Sequence, residues 1–197
     1  MKLVALTGNI ASGKTTVLKI FASLGYPTIC CDDVYHNLLK TDETLKNKIV
    51  KTFGKNILDK NKISTKKLAE VLCDNKKNLY KLEKIVHPVI LKKVFDKIKK
   101  LRNKGCKLCV VDVPLLFEKK LESKFDYVIT VYCSKQNQIQ RLKKRNINKN
   151  LLNLLFNRQK CVKEKIQKSD FVINNNDVSK EELRKQVIKI INFLNVC

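Results

Sequence analysis

Glycine and proline are scarce in this chain, at five and three residues among 197, and arginine supplies only five of its 42 basic residues. With so little Gly and Pro, and with 44% apolar and 30% charged residues, a low-complexity or disordered chain is excluded and one folded throughout is expected. No apolar run approaches the roughly 20 residues that a bilayer-spanning helix needs. The N-terminal apolar stretch breaks at Thr7-Gly8, so neither a membrane span nor a signal peptide is expected. Acidic residues are few as well, 18 against 42 basic ones, for a formal net charge of +24. Such a field attracts polyanions. Bidentate phosphate recognition favours Arg over Lys, however, and the lysines are spread along every predicted helix instead of being gathered in one block. The excess reads as solvated helix faces that steer a small anionic substrate, with no specific nucleic-acid partner.

Eight cysteines, mostly inside apolar runs, fit buried free thiols in a reducing, cytoplasmic setting. Cys106-Lys107-Leu108-Cys109 has the C-x-x-C spacing, but no second pair completes a zinc site. It also leads into a strand where a redox motif would open a helix, so no zinc or redox centre is expected. The length supports one well-buried core, hence a single domain over residues 1–197.

What is present is concentrated near the N-terminus. Gly8-Asn9-Ile10-Ala11-Ser12-Gly13-Lys14-Thr15 follows an apolar run, as a loop leaving a buried strand would, and precedes a segment with helical apolar spacing. Gly8 and Gly13 let the backbone curl until successive N–H groups converge on phosphate oxygens, and the helix N-terminus adds partial positive charge. Lys14 would then reach the β- and γ-phosphates, and Thr15 would offer its hydroxyl to Mg²⁺.

Short apolar strands alternate with longer helical patterns, which predicts an α/β fold: a five-stranded parallel sheet with helices on both faces. The strands are expected at residues 2–7, 28–32, 108–113, 127–132 and 171–173. Helices are expected at 14–24, 135–145 and 179–194, the last opened by a Ser179-x-x-Glu182 capping box. Residues 34–104 read as an all-helical insertion, with an apolar stripe through Leu79, Leu82, Ile85, Val86, Val89, Ile90 and Val94. Pro88 should kink that helix or mark a junction. Residues 141–168 contain a polar stretch with its own leucines, flanked by Arg141, Arg145 and Arg158. This is the composition of a mobile lid over phosphates, in which Arg141 and Arg145 are candidates to meet ATP, and equally that of an amphipathic helix pair.

In open α/β sheets the ligand sits beyond the carboxyl ends of the strands. Asp32 and Asp33 are expected to end the second strand and Asp112 lies near the end of the third. A phosphoryl acceptor needs a carboxylate to orient its hydroxyl and take its proton, the role given to Asp32, while Asp112 reads either as part of a Mg²⁺ site or as a strand-end salt-bridge partner. The two histidines, His36 one turn beyond Asp32 and His87 before Pro88, are candidates to bind substrate or are ordinary helix residues.

Five segments in order, Leu6-Thr7-Gly8-x-Ile10-x-Ser12-Gly13-Lys14-Thr15-Thr16, Cys31-Asp32, Leu82-Glu83-x-x-Val86-His87-Pro88, Val113-Pro114-Leu115-Leu116-Phe117-Glu118 and Ser169-Asp170-Phe171-Val172-Ile173-x-Asn175, resemble the dephospho-CoA kinase family over nearly the whole chain. The resemblance implies a P-loop kinase core, a helical CoA-binding insert at 34–104 and a lid at 141–168. It implies transfer of the γ-phosphate of ATP, with Mg²⁺, to the ribose 3′-hydroxyl of dephospho-CoA. By motif position Asp32 corresponds to the catalytic carboxylate, and Ala11, Ser12, Gly13, Lys14, Thr15 and Thr16 to the ATP-phosphate segment. The chain departs from the family at Cys30-Cys31, where Asp-Ala is frequent, at His36, where Arg is frequent, and at Leu155, where a lid Arg is usual. A kinase acting on another small acceptor, a nucleoside or nucleotide, would keep the loop and the sheet. A basic nucleic-acid-binding NTPase is the reading from another class, and the His87-Pro88 insert and the shortness of the chain favour a small acceptor over it.

Overall fold

The structure, a computed structural model, describes residues 1–143, 152 and 156–195. In chain order the elements are β1 (Lys2–Thr7), α1 (Lys14–Ser23), β2 (Thr28–Cys30), α2 (Cys31–Thr41), α3 (Glu43–Phe53), β3 (Leu58–Asp59), β4 (Lys62–Ile63), α4 (Thr65–Asp74), α5 (Lys76–Asn103), β5 (Leu108–Asp112), β6 (Tyr127–Tyr132), α6 (Lys135–Lys143), α7 (Val162–Gln167), β7 (Phe171–Asn174) and α8 (Lys180–Phe193). Five strands form one sheet in the order β2-β5-β1-β6-β7, and every pairing in it is parallel.

Alternation along the central strands divides the core between the two faces. Leu3 and Ala5 of β1, with Cys109 and Val111 of β5, pack toward α2, α3, α4 and α5. Val4 and Leu6, with Leu108 and Val110, pack toward α1 and α8. Both faces are covered, which is why these strands read as continuous apolar runs. The capping box opens α8 as its spacing predicts, the Ser179 hydroxyl accepting from the Glu182 N–H at 3.1 Å. Asp42 and Asn75 likewise cap α3 and α5 through their side-chain oxygens.

Two expectations are corrected, and at Pro88 one of two alternatives drops out. Cys31 opens a helix, so Asp32 and Asp33 lie in the first turn of α2 and do not end β2; two carboxylates there complement the positive end of the helix. The insertion is not all-helical, because β3 and β4 pair as an antiparallel hairpin. Its two turn residues, Lys60 and Asn61, take positive φ of 43° and 62°, as a two-residue hairpin turn requires. Pro88 lies within α5, so it marks no junction between elements. Pro88 deprives only the Lys84 carbonyl of its helical donor, and both residues lie on the exposed face, where water can serve that carbonyl. Of the lid segment, α6 ends at Lys143 and α7 spans Val162–Gln167, while Arg145 and Leu155 lie outside the described residues.

A buried ion pair fastens α7 to the stretch after β5. Lys165 Nζ lies 2.8 Å from Glu118 Oε1, with side-chain exposures of 0% and 10%, and the same oxygen accepts from the Lys160 N–H at 2.8 Å. Removing one member of such a pair strands the other charge in a poor solvent. Lys165→Met should therefore lose about 3–5 kcal/mol in urea unfolding. A loss below about 1 kcal/mol would show that the pair holds nothing together.

Candidate active site

The sheet register brings the chemistry together. Leu6 of β1 pairs with Asp112 of β5, and Asp112 pairs with Cys30 of β2, so three neighbouring strands end side by side. Beyond those ends stand the Gly8–Gly13 loop, Asp112 and the first turn of α2 with Asp32. β1 lies between β5 and β6, the point where successive connections diverge and where open α/β sheets bind ligand.

The loop is held from behind. Gly8 and Gly13 adopt φ of 147° and 102°, and a Cβ on Gly13 would collide with the Asn175 side-chain nitrogen. That nitrogen donates to the Ser12 carbonyl at 2.7 Å, while Arg141 donates to the carbonyls of Ala11 and Ser12, each at 3.2 Å, and of Asn175 at 2.9 Å. Carbonyl and following N–H point opposite ways in a trans peptide, so anchoring the Ser12 carbonyl aims the Gly13 N–H away from these anchors. Ala11 takes φ of 59°, uncommon for a residue with a side chain, and its carbonyl is tied down by Arg141 and by the Cys133 thiol. Gln159, just ahead of α7, accepts from the Ile10 N–H at 2.9 Å and so connects the lid segment to the loop.

Lys14 Nζ donates to the carbonyls of Gly8 at 3.0 Å and Asn9 at 3.2 Å. Thr15 and Thr16 are exposed in the first turn of α1. Asp112 is buried, its Oδ1 has no hydrogen-bond partner, and its pKa is pushed up to about 6. Burial is the main cause; Lys14 pulls the other way, and the charges of Asp32 and Asp33 add to the rise. A raised folded-state pKa means that Asp112 supports folding fully below its ordinary value near 4, and that this support is lost as pH rises through about 6. In Mg²⁺-free buffer at pH 8, Asp112→Asn should thus raise Tm by a few degrees, at about 2–4 °C per kcal/mol, and the gain should vanish near pH 4. An equal Tm for parent and variant at pH 8 would contradict the burial argument.

A cavity of about 680 Å³ opens beside Asp32, between α2, α5 and the stretch after β5. Its walls are mostly apolar, with Asp32, Tyr35, Glu83, His87 and Lys119 supplying polar atoms. His87 is thus brought to the same cavity as Asp32. His36 is not: it is exposed on α2 with its ring 5.5 Å from that of Tyr35. Burial holds the His87 imidazole below its ordinary pKa; Glu83 opposes this, and the charges of Lys119 and Arg158 reinforce it. Sequence reasoning passed over Glu83, Lys119 and Gln159 as functional residues, and assigned neither Arg158 nor Asn175 a contact. Glu83 and Asn175 lie within segments shared with the family, Lys119 directly follows one, and Gln159 follows Arg158. Among the described residues no cluster of three or more His, Cys, Asp or Glu is placed to hold a metal, and no helix is long and apolar enough to cross a membrane.

Residues 2–181 match the family model described as dephospho-CoA kinase. The dephospho-CoA kinase of Carboxydothermus hydrogenoformans is 36% identical over 193 residues, covering 97% of this chain and 93% of that protein. The solved dephospho-CoA kinase from Campylobacter jejuni superposes with a TM-score of 0.69 at 30% identity, over 98% of this chain and 96% of that one. The Thermus thermophilus structure titled TT1252 superposes with a TM-score of 0.82 at 21% identity, over 100% of this chain and 98% of that one, which extends the likeness of fold.

Proposed function

The chain belongs to the dephospho-CoA kinase family and phosphorylates dephospho-CoA with ATP to give coenzyme A, and from that premise we propose how its own residues divide the reaction. The observation that carries the proposal is the position of Asp32. It lines the apolar cavity, in the turn that follows the strand beside the Asp112 strand.

The Gly8–Gly13 loop receives the ATP phosphates on its backbone N–H groups, and the α1 N-terminus adds its partial charge. The cavity, walled by the 34–104 insertion and including His87, holds the acceptor with its ribose toward Asp32; His36 stays outside it. Asp32 accepts the proton of the 3′-hydroxyl as that oxygen bonds to the γ-phosphorus and the bond to the β-phosphate oxygen breaks, releasing ADP. Lys14 stabilises the charge that gathers on the phosphate oxygens during this transfer. Arg141 braces the loop, and residues 141–168 form the lid. The unpartnered oxygen of buried Asp112 and the Thr15 hydroxyl are hard donors suited to Mg²⁺, and we assign them to hold it. When bound, that ion neutralises charge on the phosphate oxygens. Among the described residues seven cysteines are free, but only Cys109 and Cys133 are buried and Cys161 is exposed, so the expected burial holds for two of them. Free thiols, Cys109 with its pKa pushed up to about 12 by burial, suit a reducing cytoplasm.

The test is ADP release measured in parallel with dephospho-CoA, adenosine and duplex DNA. Dephospho-CoA should be the preferred acceptor by a wide margin, and DNA should not stimulate ATP turnover. Preference for adenosine over dephospho-CoA would move the assignment to another small acceptor.

A further inference from the structure

One carboxylate at the cavity wall is shared by two cations. Glu83 Oε2 lies 2.8 Å from Lys119 Nζ and 2.6 Å from an Arg158 guanidinium nitrogen. The three residues come from α5, from the stretch after β5 and from the segment ahead of α7, so the cluster forms only when the fold assembles. Glu83 is buried, whereas the side chains of Lys119 and Arg158 remain 29% and 28% exposed. The nearby Lys165–Glu118 pair is different in kind, with its lysine sealed completely. One negative charge against two positive ones leaves the cluster with a surplus of one. His87, whose pKa burial lowers, adds nothing to it at neutral pH. Of the 42 basic residues in the chain, Lys119 is the one that lines this cavity among the described residues.

Arg158 does not line the cavity and reaches its wall through Glu83. A cationic centre at the wall of an apolar cavity selects an anion, because charge-assisted hydrogen bonds gain strength where water is scarce. Dephospho-CoA is an adenosine whose 5′ oxygen carries a diphosphate, so its anionic group and its 3′-hydroxyl belong to one ribose. We propose that Lys119 and Arg158 bind the diphosphate of the acceptor, with Glu83 as the counter-ion that holds the two head groups in position. This rests on the assignment of the cavity to the acceptor and adds the source of its selectivity: the site reads the anion as well as the ribose. Arg158 and Gln159 are adjacent, and Gln159 bonds the phosphate loop, so occupation of this cluster also bears on the segment that touches the ATP site.

The test is calorimetric binding of dephospho-CoA, adenosine and ATP to the full-length parent and variants. Lys119→Met and Arg158→Met should each raise the Kd for dephospho-CoA about 10- to 100-fold, the loss of one or two charge-assisted hydrogen bonds. The Kd for ATP should move less than about twofold and that for adenosine less than about threefold, and Arg158→Lys should recover most of the loss. Glu83→Gln keeps an acceptor but removes the competing charge, so its Kd for dephospho-CoA should stay within about threefold of the parent or fall. A merely structural cluster predicts the contrary, that Glu83→Gln is as damaging as the cation variants and that adenosine is lost along with dephospho-CoA. Either result overturns the proposal, as does dephospho-CoA binding within about twofold of the parent in both Met variants. If the parent itself binds ATP but not dephospho-CoA, the failure lies in the cavity assignment beneath it.

Discussion

Lys14→Ala should yield a folded protein that turns over dephospho-CoA at least about 10² times more slowly than the parent, the scale set by removing one preorganised electrostatic group from a transition state. Folding should survive because Lys14 is only partly buried and leads a helix whose apolar face, Val17, Leu18, Ile20 and Phe21, is untouched by the change. The hydrogen bonds from Nζ to the Gly8 and Asn9 carbonyls are each worth only about 1 kcal/mol, too little to decide folding. Initial rates at saturating substrates, with a thermal melt alongside, separate the two effects. Turnover within a few fold of the parent would remove the loop from the chemistry.

Asp32→Asn should lower kcat by about 10²–10⁴ while the KM for ATP stays within a few fold, since the carboxylate acts on the acceptor and not on the nucleotide. The substitution also removes a charge from the first turn of α2, where an acidic residue is worth about 0.3–1 kcal/mol through the helix dipole. That is too little to account for a rate loss of this size. Asp33→Asn removes a charge from the same turn and serves as the control: it should be mild. If Asp33→Asn is the damaging change and Asp32→Asn the mild one, the base has been placed one residue off.

The pattern of what could be read in the sequence follows from where each signal resides. Strands β1, β5 and β6 are sandwiched between helices, so each is apolar on both faces and stands out from its polar surroundings. The phosphate loop and the Ser179 cap are set by neighbours within a few residues, and both are found where the sequence put them. The start of α2 was misplaced because Thr28 to Asp32 carries no helix signal of its own: Cys30 caps without a side-chain bond, and the carboxylates that favour a helix start serve equally well after a strand. The β3–β4 turn was missed because Lys60-Asn61 contains no glycine. Arg141 is expected to meet ATP; its bonds to the Ala11 and Ser12 carbonyls join residues about 130 positions apart and belong to tertiary structure, which no local pattern carries. The Glu83–Arg158 pair joins residues 75 positions apart, a distance over which no local pattern carries information.

The central claim is that the acceptor ribose sits in the cavity with its 3′-hydroxyl on Asp32. The most direct measurement is a crystal structure of the protein with dephospho-CoA and a non-hydrolysable ATP analogue. The 3′-oxygen should lie about 2.6–3.2 Å from an Asp32 carboxylate oxygen and face the γ-phosphorus in line with the bond to be broken. A ribose bound outside this cavity, or a 3′-oxygen met by a side chain other than Asp32, would contradict it.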